Sequence, residues 1–222
     1  MVGRNSTGEA GRGFPRWAWI VIGLVIVLTL VFGVGAWYQA RPRPAGSAPT
    51  PAASPGTATA PNGCLAGASN DAEGLLQAQK YAGHNEDGAA AFAAAVLRWI
   101  AQYPRPSVED GETVASSILA DGAIGTIATL PANLAAAKSL PGVNSGAVNF
   151  AEGRYVVEES TPDTVRVTVG GAEIRNGKAT DQKIASTLTV VWEDGAWKVR
   201  NDGTERTLED LFASGAAFSG GC

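Results

Sequence analysis

The chain has 222 residues, a formal net charge of −4 and only 17% charged residues. That balance excludes nucleic acid as the principal partner, because phosphate binding needs a concentrated basic face and Lys and Arg form no run here. With two cysteines and one histidine, a zinc site of the usual four-ligand kind cannot be assembled.

Residues 1–16 are polar and Gly-rich, the composition of a disordered tail, and the expectation is that they are cytoplasmic. Residues 17–38, WAWIVIGLVIVLTLVFGVGAWY, contain no charge. At about 1.5 Å per residue they reach roughly 30 Å as a helix, enough to cross a bilayer core. Trp17, Trp19, Trp37 and Tyr38 place aromatic rings at both ends. Arg4, Arg12 and Arg16 precede the stretch and Arg41 and Arg43 come after it, so charge alone does not orient it. A cleaved signal peptide, cut after Val34-Gly35-Ala36, is the alternative. The apolar run is far longer than the ~7–15 residues of a signal core, which favours an uncleaved anchor.

Residues 39–63 include Pro42, Pro44, Pro49, Pro51, Pro55 and Pro61 among Ala, Ser, Thr and Gly. Such a tract buries no core; at about 3.1 Å per residue it spans up to roughly 70 Å as a tether. Cys64 and Cys222 bracket the C-terminal stretch of about 160 residues, the size of one ordinary domain. Domain termini often lie together, so a Cys64–Cys222 disulfide is expected, worth about 4–5 kcal/mol in the chain-entropy model. It implies an oxidising compartment and places the domain, residues 64–222, outside the cytoplasm. The other outcome is two unrelated thiols.

The domain opens with helical signals. Asn70 or Ser69 caps a helix carrying Leu75, Leu76 and Gln79. Asn85 caps a second, whose Phe92, Val96, Trp99 and Tyr103 recur at helical spacing with Ile100 widening the stripe, so it reads as amphipathic and laid on a core. Pro104 and Pro106 end it. A third helix runs from Val108 to Leu119 and buries Val114 and Ile118; a fourth holds Pro131 in its first turn and carries Leu134 and Ala137.

The period then changes from 3.6 to 2. Tyr155 to Glu159 reads as a strand and Thr161-Pro162-Asp163 as its turn. Val165, Val167 and Val169 alternate with polar residues, as do Leu188, Val190 and Trp192. Gly170-Gly171 marks a bulge, and Asn176-Gly177 and Asp194-Gly195 are hairpin turns, the second returning through Trp197 and Val199. The expected fold is therefore α+β: helices packed on a curved four-stranded antiparallel sheet, closed by a short helix starting at Thr207 and bearing Leu208, Leu211 and Phe212.

Reactive chemistry is sparse. His84 sits in a loop before a helix cap, a surface or capping position. Glu109, Asp110 and Glu112 cluster at a helix start, where the macrodipole favours acids, rather than forming a calcium site. Glu158 and Glu159 are adjacent on a strand and are expected on opposite faces, which disfavours a paired-carboxylate site. Trp99, Trp192 and Trp197 sit on apolar stripes and read as core. No catalytic, cofactor-binding or metal residue is assigned and no cofactor is implied; the only site residues are Cys64 and Cys222.

The wrapping helix at Asn85–Tyr103 and the sheet at Tyr155–Arg200 resemble the cone-shaped domain of the nuclear-transport-factor-two superfamily. Membrane-anchored versions occur in the bitopic scaffold proteins of bacterial type IV secretion and conjugation machines. The chain departs from the pattern in having several helices before any clear strand. The resemblance implies a non-enzymatic scaffold that self-associates or docks other envelope proteins outside the membrane, and it carries over no functional residue. A small-ligand or peptide-binding module of the envelope, and an enzyme of the same superfamily, are the alternatives.

Overall fold

The computed structural model describes residues 60–222, which form five α-helices, a 3-10 turn and one antiparallel sheet. The expected membrane span at 17–38 lies outside the described residues, as does nearly all of the tether. Among the described residues no helix is long and apolar enough to cross a membrane.

Helix α1 (Ala72–Tyr81) is capped by Asp71, whose carboxylate accepts from the Gly74 amide at 2.7 Å. This corrects the expected cap. Asn70 instead donates to the Arg98 carbonyl at the far end of the next helix. Helix α2 (Glu86–Ile100) is capped by Asn85 as expected. It is not a one-sided helix, however: every residue from Ala89 to Trp99 is buried. Six of those positions are alanines, and their small side chains let neighbouring elements close around the whole circumference. Helix α3 (Val108–Ile118) is capped by Ser107 and buries Val114 and Ile118. The 3-10 turn Ile127–Thr129 leads into α4 (Leu130–Ala136), with Pro131 in its first turn.

The strands are β1 (Gly146–Thr161), β2 (Thr164–Arg175), β3 (Lys178–Glu193), β4 (Ala196–Gly203) and β5 (Ala216–Ala217), ordered β4-β3-β2-β1-β5. The sheet thus has five strands, not four. The fifth is two alanines paired with Arg154 and Tyr155, too short to leave a periodic signal. β1 also starts earlier than expected, because an irregularity between Asn149 and Arg154 hides the alternation there. Asn176-Gly177 and Asp194-Gly195 have positive φ at both positions, the primed turns that match strand twist.

Val165, Val167, Val169, Leu188, Val190, Trp197 and Val199 point to one face and pack with Phe92, Val96 and Trp99 in the core. Helix α5 (Leu208–Ser214) covers the opposite face, where Leu211 is fully buried. Gly170-Gly171 is not itself the bulge. A side chain at Gly170 would meet Leu211 Cδ2 at 2.7 Å, and one at Gly171 the Asn149 carbonyl at 2.6 Å. The two glycines admit α5 on one side and the irregular part of β1 on the other.

Candidate functional site

Cys64 and Cys222 are joined by a disulfide, with Cα atoms 5.4 Å apart. The residues beside it pair as well. Gly63 donates to the Gly220 carbonyl at 3.0 Å and Ser219 to the Pro61 carbonyl at 2.9 Å, so the folded part takes in residues 61–63. The Phe218 ring packs edge-on against Phe150 and tilted against Tyr155, which places the chain end in the core.

His84 lies on the surface but is held there. Its ring stacks on Trp192 at 4.1 Å, its Nε2 is 2.8 Å from Asp163 Oδ1, and Trp197 Nε1 donates to the adjacent Gly83 carbonyl at 2.7 Å. These contacts pin the β1–β2 turn to the α1–α2 loop; among the described residues no hydroxyl or thiol is hydrogen-bonded to His84. Trp99 and Trp197 are buried, while Trp192 is half-buried beneath the imidazole. Asp110 is spent on the α3 cap with Ser107, and among the described residues no group of His, Cys, Asp and Glu is placed to hold a metal ion.

Glu158 and Glu159 do not point to opposite faces. A bulge between Val157 and Glu159 inserts one residue, and both carboxylates reach the outer face of β2. Glu158 accepts from Thr168 Oγ1 at 2.7 Å and takes a two-pronged contact from Arg206 at 2.6 and 2.9 Å; Glu159 pairs with Arg166 at 3.2 Å. Burial pushes the Glu158 carboxyl up, but Arg206 and Thr168 outweigh it and hold it below the ordinary carboxylate value. A general acid needs the reverse shift, so Glu158 is not poised as one.

An open, mostly apolar site lies at the far end of α2. β3 outruns its neighbour: β4 covers it from Glu193 back to Thr187, and residues 178–186 have a strand on the β2 side only. Where β4 stops, a cavity of about 370 Å³ opens. Its walls are mostly apolar: Leu97 and Ile100 of α2, Ile127, Leu130 and Leu134, with Ala185 at the free edge of β3. Asp202 is at its rim, but its carboxylate is occupied by the Thr126 hydroxyl and the Ile127 amide, the latter at 2.8 Å. Arg105, also on the rim, has no ion-pair partner among the described residues. The arrangement offers an apolar slot, a free cation and unpaired strand backbone side by side. Sequence reasoning missed it. Ile100 and Leu134 lie on helical stripes that read as core, and a stripe does not reveal whether the facing strand is long enough to cover it.

No family model matches the chain, and no match was found among curated proteins or solved structures.

Proposed function

We propose that this chain is a non-enzymatic single-pass membrane protein, anchored through residues 17–38, whose extracytoplasmic domain docks other proteins or a second copy in a bacterial cell-envelope complex of the conjugation or type IV secretion kind. The resemblance to the nuclear-transport-factor-two superfamily belongs to the same proposal. The observation that carries it is the apolar groove beside the free edge of β3, in a domain whose interior between α2 and the sheet is filled by Phe92, Trp99, Trp197 and Leu188. A filled interior with a surface groove favours docking over turnover of a buried substrate. The disulfide agrees with a position on the oxidising side of the membrane.

Crosslinking in native membranes, with identification of the captured proteins, tests the docking. Envelope proteins or a second copy are expected, and Ala101→Arg, at a partly buried position that also lines the groove, is expected to abolish their capture while the circular dichroism spectrum stays that of the folded domain. Recovery of the chain alone as a monomer sinks the reading. Protease added to spheroplasts is expected to clip the domain; protection until lysis overturns the topology.

A second reading, a small-ligand or peptide-binding module, is favoured by the size of the groove, which falls in the range of small-molecule sites. Saturable binding to the lipid-free chain that Ala101→Arg removes would establish it.

A further inference from the structure

Arg98 is the observation with no role in the docking reading. It belongs to the last turn of α2 and is only 6% exposed. Its Nη1 donates to the Gly67 carbonyl and its Nη2 to the Ala68 carbonyl, both at 3.3 Å. Among the described residues no carboxylate pairs with it. Two carbonyls are dipoles and leave the buried positive charge without a neutralising anion. The remaining polarisable neighbour is the disulfide itself: Nη1 lies 4.0 Å from Cys64 Sγ. Cys222, by contrast, has its sulfur 3.3 Å from the Gly67 carbonyl oxygen, the negative end of a dipole.

We propose that Cys64–Cys222 is a site of thiol–disulfide exchange with a dithiol, in which Arg98 receives Cys64 as the leaving thiolate. A thiolate of the dithiol attacks Cys222 Sγ; the Cys64–Cys222 bond breaks and its electron pair departs with Cys64 Sγ, beside Arg98. The second thiol of the reagent loses its proton to solvent and attacks the reagent sulfur of the mixed disulfide. Cys222 leaves as a thiolate and is protonated. The dithiol is oxidised to a disulfide, and the protein disulfide is reduced by the same two electrons. The direction comes from the asymmetry of the two sulfurs, since attack is favoured at the sulfur whose partner is the better leaving group. A cation beside a thiol lowers its pKa, and the thiolate supplies the anion that the guanidinium lacks in the oxidised chain. Reduction also unties the segment that carries β5 and Phe218, so the exchange has a structural consequence.

The test uses the purified full-length chain and dithiothreitol as the dithiol, and does not depend on membrane placement or on the groove. In the reduced chain, the pH profile of iodoacetamide alkylation at Cys64 is expected to have its midpoint at least one pH unit below the ordinary thiol value of about 8.5. Arg98→Met is expected to raise that midpoint to the ordinary value or above and to slow reduction about tenfold, with Arg98→Lys recovering most of both. A purely structural Arg98 would lower the melting temperature in Arg98→Met without moving the Cys64 profile, and that outcome overturns the proposal. So does an ordinary or raised Cys64 midpoint in the unsubstituted reduced chain, a measurement that needs no variant to fold. Failure here leaves the docking reading standing, because a stable disulfide serves a scaffold equally well.

Discussion

Glu158 shows how a single inserted residue changes what a carboxylate does. The period of a strand assigns alternate residues to alternate faces, and on that rule Glu158 and Glu159 separate. The bulge breaks the rule at one position, and nothing in the local sequence announces it. The consequence is measurable in acid. The folded-state pKa of Glu158 is lowered, so its stabilisation is fully present above the ordinary carboxylate range and is lost as pH falls through the folded value. Glu158→Gln is therefore expected to destabilise the domain near neutral pH and to make stability fall less steeply toward about pH 4. Thermal melting across that range checks it; an unchanged slope would show that the Arg206 contact contributes no linkage. His84 is legible in the sequence as a surface residue before a helix cap, but its stacking on Trp192 is not, because the two are far apart along the chain.

At the scale of elements, α2 is the part most changed by its surroundings. Its stripe of Phe92, Val96 and Trp99 is plain in the sequence, whereas the alanines between carry no signal and yet are buried on every side. Gly88 in its first turn is equally constrained, since an added Cβ would overlap the Gly83 carbonyl. Gly→Ala inside a helix ordinarily stabilises by about 1 kcal/mol. At Gly88 the sign is expected to reverse, with a loss of about 1–3 kcal/mol from the backbone clash. Gly111 in α3 is the control. A Cβ there meets Leu134 Cδ1 at 2.5 Å, the end of a flexible side chain, so Gly111→Ala is expected to cost less than Gly88→Ala. Chemical denaturation of both variants decides, and equal losses would refute the distinction. The hairpin turns are legible because Asn176-Gly177 and Asp194-Gly195 must take positive φ, but the lengths of the arms are not. How far β3 runs past β4 depends on where the chain leaves the sheet at Gly203.

For the whole molecule the disulfide closes the domain on itself, over a sequence separation of 158 residues. Cys222→Ser is expected to lower stability by about 2–5 kcal/mol, measured by denaturant unfolding of the full-length chain. Its effect is expected to spread to β5 and Phe218, which the same segment carries, and hydrogen exchange at Arg154 and Tyr155 reports that directly. No change in protection there would show that β5 holds without the covalent tie.

By itself the sequence determined what depends on neighbours along the chain: the uncharged run at 17–38, the helix cap at Asn85, the alternation of β2 and β3, the primed turns and the α+β class. It also marked Cys64 and Cys222 as partners, because both bracket the domain. Only the tertiary structure decided the fifth strand, the face that α5 covers, the open groove and the placement of Arg98 beside a sulfur. Periodicity and turn chemistry act over a few residues, whereas each of these features is a contact between segments far apart in the chain. Their positions are set by how volumes fill the core and by where one strand ends against another, and neither quantity has a local signature.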